Sequence, residues 1–260
     1  MKTLSFTPIG VFRCEKKQPF EAASQGHLDL SSDVGCIELR GGQNFEQALT
    51  GLAEMSHVWV VFAFHQNENW KPLVQVPRGS DQKQGVFATR SPYRPNPIGL
   101  SLVEIERIEG RKIWVRHFDL LDETPVLDLK PYHPEADAPL QEPTLGWMQN
   151  LAQDEYQVSE STFFGEQVTW LSQKGVTQIA VFCKQQLRFD PLNADKKRVR
   201  HLSDSEAVLA YRTWRVTFRV NERNITLEQI SSGYTDEDLA TDHDKWNDKD
   251  LHRSFISRFR

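Results

Sequence analysis

The sequence predicts a mainly β protein, with an N-terminal barrel or sandwich followed by a smaller α+β domain. Three observations carry this. Short apolar runs rich in β-branched and aromatic residues fill the first half. Turn residues separate them, and only one helical pattern interrupts them. After Tyr132 a proline- and acid-rich stretch gives way to segments with helical spacing.

The elements follow in chain order. Residues 4–12 are apolar and broken by Pro8, and residues 34–39 form a short candidate strand. Residues 45–55 predict a helix with Asn44 as its N-cap. Residues 58–64 (VWVVFAF) are continuously apolar, which suits a strand buried on both faces. Strands are also predicted at 85–89, 100–108, 112–118 and 126–129, with a turn at Glu109–Gly110. Residues 133–144 read as a linker or surface loop. Beyond them, 165–187 has the length and spacing of one helix, and 211–220 alternates Arg with Trp, Val and Phe. Residues 224–230 can pair with that strand through a turn at 221–224. The predicted domains are 1–140, 141–233 and an acidic tail at 234–260, helical or disordered.

Composition narrows the function classes. The chain has 260 residues, 38% hydrophobic and 26% charged, with a net charge of −5. Bulk charge gives no sign of nucleic-acid binding, so any basic surface is local. Cys14, Cys36 and Cys183 are far apart and form no CxxC pair, which fits a reducing compartment. No stretch reads as a secretion signal or a membrane span, so a cytoplasmic location is expected. There is no GxGxxG after a strand, no GxxxxGK[ST], no HExxH and no GxSxG, and no metal site is expected.

Three segments can carry chemistry. In ATRSPYRPNPIGLS (88–101), Pro92, Pro95 and Pro97 stiffen the backbone and hold Ser91, Arg94 and Asn96 extended. Such a loop, with Arg90, Arg94 and Asn96, suits an anionic or hydrogen-bonding ligand; a rigid connector between strands explains it equally well. In FDLLDETPVLDLKPYHP (118–134), Asp119, Asp122, Glu123 and Asp128 are crowded. They can bind ribose hydroxyls, accept protons or ligate a metal, though taken alone the segment reads better as a turn in which Asp122 caps its neighbours. In AFHQNENW (63–70), His65 and Gln66 end a strand, where ligands are often met.

TPIG (7–10), HVWVVFAFHQN (57–67), the W-x-P at Trp70–Pro72, GVFATRSPYRPNPIGLSLV (85–103) and DLLDETPVLDLKPY (119–132) together resemble the TsaA-like family of tRNA methyltransferases. The match spans roughly residues 1–140 and extends more weakly to AYRTWRV (210–216). The resemblance implies a β-barrel enzyme outside the Rossmann type, working as a homodimer. It implies methyl transfer from S-adenosylmethionine to N6 of threonylcarbamoyladenosine beside the anticodon of tRNA. The matching cofactor positions are Ser24, Gln25, His65, Gln66, Arg90, Leu100, Asp119, Leu120, Leu121 and Asp122. Ser24 stands where the family carries Arg, Glu123 where it carries Gly, and Asp190-Pro191-Leu192-Asn193 replaces an Asp-Pro-Arg-Pro-x-Tyr string.

Asp119, Asp122 and His65 are the candidate bases. Arg94, Asn96, Lys130 and Tyr132 are candidate substrate contacts. For tRNA phosphates the candidates are Lys196, Lys197, Arg198 and Arg200, the densest cluster in a stretch (184–219) with nine Lys or Arg against four Asp or Glu. Two alternatives stay open: a non-catalytic S-adenosylmethionine binder, and a methyltransferase acting on a small molecule.

Overall fold

The computed structural model describes residues 3–22, 25–26, 31, 33–76, 82–149, 155–194 and 197–259. The chain divides into two compact units, Met1–Gln149 and Asn150–Arg260. No helix among the described residues is long and apolar enough to cross a membrane.

The first unit is a closed barrel. Its elements are β1 (Gly10–Arg13), β2 (Gly35–Leu39), α1 (Phe45–Ala48), β3 (His57–Ala63), β4 (Leu73–Val74), β5 (Gln84–Gly85), β6 (Ile98–Glu109), β7 (Lys112–Arg116), β8 (Thr124–Pro131) and α2 (Pro134–Asp137). The barrel runs β1-β2-β7-β6-β3-β8 and closes through β8 onto β1, every pair antiparallel. Closure removes the exposed edges of an open sheet. The interior is filled by Phe12, Ile37, Val58, Val60, Phe62, Val103, Ile113, Val115, Phe118, Leu120 and Val126, all buried. Phe12 and Phe118 meet edge to face, 4.9 Å between centroids, a contact worth about 0.5–1.5 kcal/mol beyond burial. Gly35 makes room for this pair, since a Cβ there would lie 2.2 Å from Cζ of Phe12.

Several local expectations change. β3 is not buried on both faces: Val58, Val60 and Phe62 point inward, while Trp59 and Val61 are half-exposed outside. A barrel has one core, so an apolar outer face is surplus to its packing. The helix at 45–55 stops at Ala48 because Gly51 turns to φ +84°, and a separate 3₁₀ turn (Leu52–Glu54) follows. Asn44 sits at φ +58° and donates to Oε1 of Gln47 (2.6 Å) instead of capping the backbone. At 85–89 only Gly85 belongs to a strand, and Val86–Ala88 tightens into a 3₁₀ turn. The turn after Glu109 forms as predicted, with Gly110 at φ +59° and Glu109 paired with Lys112.

The second unit contains β9 (Gln157–Glu160), α3 (Thr162–Ser172), α4 (Ile179–Leu187), β10 (Val199–His201), β11 (Glu206–Tyr211), β12 (Trp214–Asn221), β13 (Asn224–Ser232), α5 (Asp236–Ala240) and α6 (Lys249–Arg258). Its sheet runs β10-β11-β12-β13-β9, with β9 parallel to β13. The single helix expected at 165–187 is two, because Gly175 at φ +90° ends the first. Ser161 caps α3 by accepting from the Phe164 amide (3.0 Å). Buried Gln167 on that helix donates to the Ile230 carbonyl (3.1 Å) and accepts from its amide (2.6 Å), so no polar atom is stranded there. The strand read at 211–220 begins one turn later, because Arg212 at φ +50° and Thr213 reverse the chain between β11 and β12. The 221–224 hairpin forms with Asn221 opposite Asn224. The residues read as an acidic tail fold into α5 and α6, burying Leu239, His252 and Phe255. Three well-spaced apolar or aromatic residues suffice to anchor a segment whose average composition is polar.

Candidate active site

β3 leaves the barrel at the same end where β6 and β8 begin, and the 119–123 loop crosses there. A cavity of about 500 Å³ opens at this end. Phe62, Phe64, Leu100 and Leu121 give it apolar walls, and His65, Gln66, Arg90, Ser101, Asp119 and Thr124 supply polar groups.

The proline-rich loop is braced from both sides. Phe64 N–H donates to the Pro97 carbonyl (2.8 Å), Lys71 N–H to Tyr93 (3.0 Å), and Asn67 Nδ2 to Pro92 (2.7 Å). Arg94 donates to the carbonyls of Val86 (3.2 Å) and Thr89 (2.9 Å). Its guanidinium therefore holds the turn that presents Arg90, although the side chain also lines the cavity. Asn96 is exposed and does not line this cavity. Gly99 is required by packing: a Cβ would sit 2.3 Å from the Phe62 ring. Arg90 donates to Oε1 of Gln25 (2.9 Å), which ties the 25–26 segment to the loop. Trp147 adds a further prop, donating to the Ala88 carbonyl (3.2 Å).

Strand-like alternation sorts the acidic segment. Asp119 and Leu121 face the cavity, while Leu120 between them is buried in the barrel core at 1% exposure. Only the backbone of Leu120 is left for a ligand. Asp119 accepts a hydrogen bond from Ser101 Oγ. Burial raises its pKa, and the Ser101 bond opposes that rise. Asp122 turns to β1: its amide donates to the Lys16 carbonyl (2.8 Å) and its carboxylate accepts from the Cys14 amide (3.2 Å). It fixes the loop and is not part of the cavity wall. His65 lies 3.4 Å from Thr124 Oγ1, and burial lowers its pKa, with Asp122 opposing. Gln66 donates to the Lys17 carbonyl (3.2 Å).

Glu123, at the position where the resemblance carries Gly, adopts φ +64°. That left-handed backbone explains why glycine suits the position. The Glu123 carboxylate pairs with Arg13 and stays outside the cavity lining. Glu123→Gly should leave turnover unchanged. Stability should shift by less than about 1 kcal/mol, since relief of φ strain is offset by greater unfolded-state entropy and loss of an exposed ion pair. Thermal melting and methyl-transfer rates test this; a large drop in either would mean the carboxylate has a role at the site.

The remaining candidates lie elsewhere. Ser24 and Lys196 are outside the described residues. Lys130 is exposed and pairs with Asp128 (3.0 Å). Tyr132 packs against His57 and Trp59. Lys197 donates to the Gln186 and Phe189 carbonyls, which stabilises the C-terminal end of α4. Arg198 and Arg200 are close enough to Arg215 to reinforce the lowering of its pKa, which burial dominates. Sequence reasoning missed Ser101 and Thr124. The signal was present, since each is a polar residue at an inward, buried strand position.

Comparison with known proteins agrees with this architecture. Residues 11–138 match the family described as the tRNA-methyltransferase O N-terminal domain. A protein of Escherichia coli named tRNA (adenine(37)-N6)-methyltransferase is 35% identical over 230 residues, covering 86% of this chain and 94% of that one. A Pseudomonas aeruginosa protein, named as an S-adenosylmethionine-dependent methyltransferase on a provisional basis, is 43% identical over 136 residues, 51% of this chain and 56% of its own. A crystal structure titled TrmO from that genus and species superposes with a TM-score of 0.62 at 30% identity, covering 90% of this chain and 99% of that one. With sequence and fold agreeing over most of both chains, this chain belongs to the tRNA-methyltransferase O family.

Proposed function

We propose that the chain methylates N6 of adenine 37 in tRNA, in the threonylcarbamoylated nucleoside that the sequence resemblance implies, with S-adenosylmethionine as donor. The observation that carries this is the convergence of His65, Gln66, Arg90, Leu100, Asp119 and Leu121 on one cavity, although they are scattered along the sequence. The cavity volume of about 500 Å³ is that of a small-molecule site. Its mixed lining fits a ligand with an aromatic base, an apolar thioether-like arm and a charged amino-acid end.

When bound, S-adenosylmethionine supplies an electrophilic methyl group on a sulfonium. Arg90, held by Gln25, is placed to bind the donor's carboxylate. Phe62, Phe64 and Leu121 provide apolar surface for the arm and base and exclude water. Asp119 would take the proton that N6 must give up on methylation, with Ser101 fixing its carboxylate. Burial keeps the Asp119 carboxyl more basic than an ordinary one, which suits that role. Alignment of the two reactants supplies most of the acceleration, about 7–11 kcal/mol in favourable cases. Arg198, Arg200 and Arg215 form the basic surface that docks tRNA phosphates.

The working unit is a homodimer. Leu73 and Phe87, exposed and outside the cavity lining, give the first unit apolar area to bury. All three cysteines are free, in keeping with the reducing cytoplasm.

The test is mass spectrometry of tRNA nucleosides after incubation with methyl-labelled cofactor. A labelled methyl on the adenine 37 nucleoside supports the reading. Label on another nucleoside, or none in tRNA, ends it.

A further inference from the structure

A second cavity of about 500 Å³ lies beside the first, and Arg90, Ser101 and Asp119 line both. Its other walls are outward-facing residues of the barrel, chiefly Trp59 and His57 of β3 and Leu102 and Glu104 of β6, with His117 beyond them. Resting on the function proposed above, we infer that this second cavity receives the acceptor nucleoside, with the Trp59 indole as the surface on which its base stacks.

Three observations support the assignment. The first concerns the reaction. In an in-line displacement the acceptor nitrogen lies opposite the leaving group across the transferred carbon, so the two sites must adjoin, with residues common to both at their junction. The shared wall here holds Asp119, the group placed to take the proton, hydrogen-bonded to Ser101. The second concerns the ligand. Trp59 is half-exposed, and its Nε1 donates to Oδ2 of Asp137 (3.0 Å), so the indole is fixed by its edge while area remains on its face. Asp137 also accepts from the His133 amide (2.8 Å), and Tyr132 packs against the indole at 6.3 Å, which sets its orientation further. A pre-oriented aromatic face is what an unpaired base requires. The third concerns charge. Among the described residues beyond the shared wall, the ionisable groups are His57 and the Glu104–His117 pair (3.5 Å). These offer donors and an acceptor to base edges, with no cluster of cations for phosphate. Lys130 stands opposite Trp59 in the β3/β8 ladder, where an exposed cation can meet the flanking backbone of the RNA. An outward tryptophan in a barrel strand, unexplained by the core, thereby acquires a function.

The probe is an anticodon stem-loop of RNA, end-labelled for fluorescence anisotropy, with 2-aminopurine at the acceptor position in a second preparation. Trp59→Ala should weaken binding by about 10- to 100-fold and Trp59→Phe by much less, because stacking needs only an aromatic face. Bound 2-aminopurine should be quenched by the wild-type chain and brighter with Trp59→Ala. Calorimetric affinity for S-adenosylmethionine should be unchanged in both variants. Should Trp59→Ala fold poorly, Leu102→Trp fills the same cavity from the opposite wall and should likewise lower RNA affinity alone. RNA affinity within about two-fold of wild type in a folded Trp59→Ala overturns the inference. So does a matching fall in cofactor affinity, which would assign the space to the donor. Methylation that proceeds without dependence on Trp59 ends this inference and leaves the function standing. Stacking on Trp59 by a chain that transfers no methyl does the reverse.

Discussion

Asp119→Asn should lower turnover by about 10²- to 10⁴-fold, the range for loss of a general base. The substitution is nearly isosteric. The Asn amide oxygen can still accept from Ser101 Oγ, so the hydrogen bond that fixes the side chain survives. What is lost is the capacity to take a proton. The wild-type carboxyl is held above its ordinary pKa by burial, so the rate should rise with pH as that carboxyl ionises. The rise should vanish in the variant. Cofactor affinity by calorimetry and the melting profile should both stay near wild type, which separates loss of chemistry from loss of fold. Asp122 gives the internal contrast. Its carboxylate accepts from the Cys14 amide (3.2 Å), so Asp122→Ala should loosen the loop without removing the base. A retained pH dependence in Asp119→Asn, with turnover within a few-fold of wild type, would remove Asp119 from the mechanism and turn attention to His65.

How much of this was legible beforehand follows from what each residue depends on. The strands were readable because apolar, β-branched and aromatic runs advertise themselves locally, whereas barrel over sandwich came from the family resemblance. The inward stepping of Val58, Val60 and Phe62 was hidden by the apolar residues between them. The absence of a nucleotide-binding glycine motif was also readable, and the barrel explains it. The rigidity of the 88–101 loop followed from Pro92, Pro95 and Pro97 alone. The use of Arg94 did not. Sequence made it a ligand contact, and the folded loop, while leaving it on the cavity wall, also gives it two backbone carbonyls at 2.9 and 3.2 Å. Leu120 and Leu121 are indistinguishable in sequence, and only the register of the 119–122 segment against the core sends one inward and the other to the cavity. Ends of helices at Gly51 and Gly175 were missed because an isolated glycine inside an apolar pattern is tolerated as often as it breaks one. For the 234–260 segment composition left helix and disorder open, and the structure has helices there. Its order depends on contacts with Trp214 and Ser232, which no local window contains.

That last cluster gives the largest expected effect on stability. Trp214→Ala should destabilise the second unit by about 3–5 kcal/mol, the range for truncating a buried aromatic. Trp214 is 2% exposed and stacks on His252 with 3.7 Å between ring centres and 13° between planes. His252 is fully buried, with Nδ1 2.8 Å from Ser232 Oγ, Nε2 3.0 Å from Thr213 Oγ1, and Asp248 at 3.6 Å. Phe255 packs on the same indole at 5.0 Å, so α6 is held to β12 chiefly through one side chain. The imidazole also provides a signature. Burial lowers its pKa below the ordinary 6.5, outweighing the opposing charge of Asp248, and Arg215 adds to the lowering. Between the folded and unfolded values the unfolded chain binds more protons. The contribution is therefore complete above 6.5 and is lost as pH falls from there through the lowered folded value. Removing the indole admits water, returns His252 toward its ordinary value and flattens that slope. Melting curves recorded above and below the ordinary histidine value, with hydrogen exchange along α6, measure both effects. Wild-type melting and an intact pH slope in Trp214→Ala would mean that α6 is anchored elsewhere, with Phe255 and Phe259 against Trp170 as the remaining contacts.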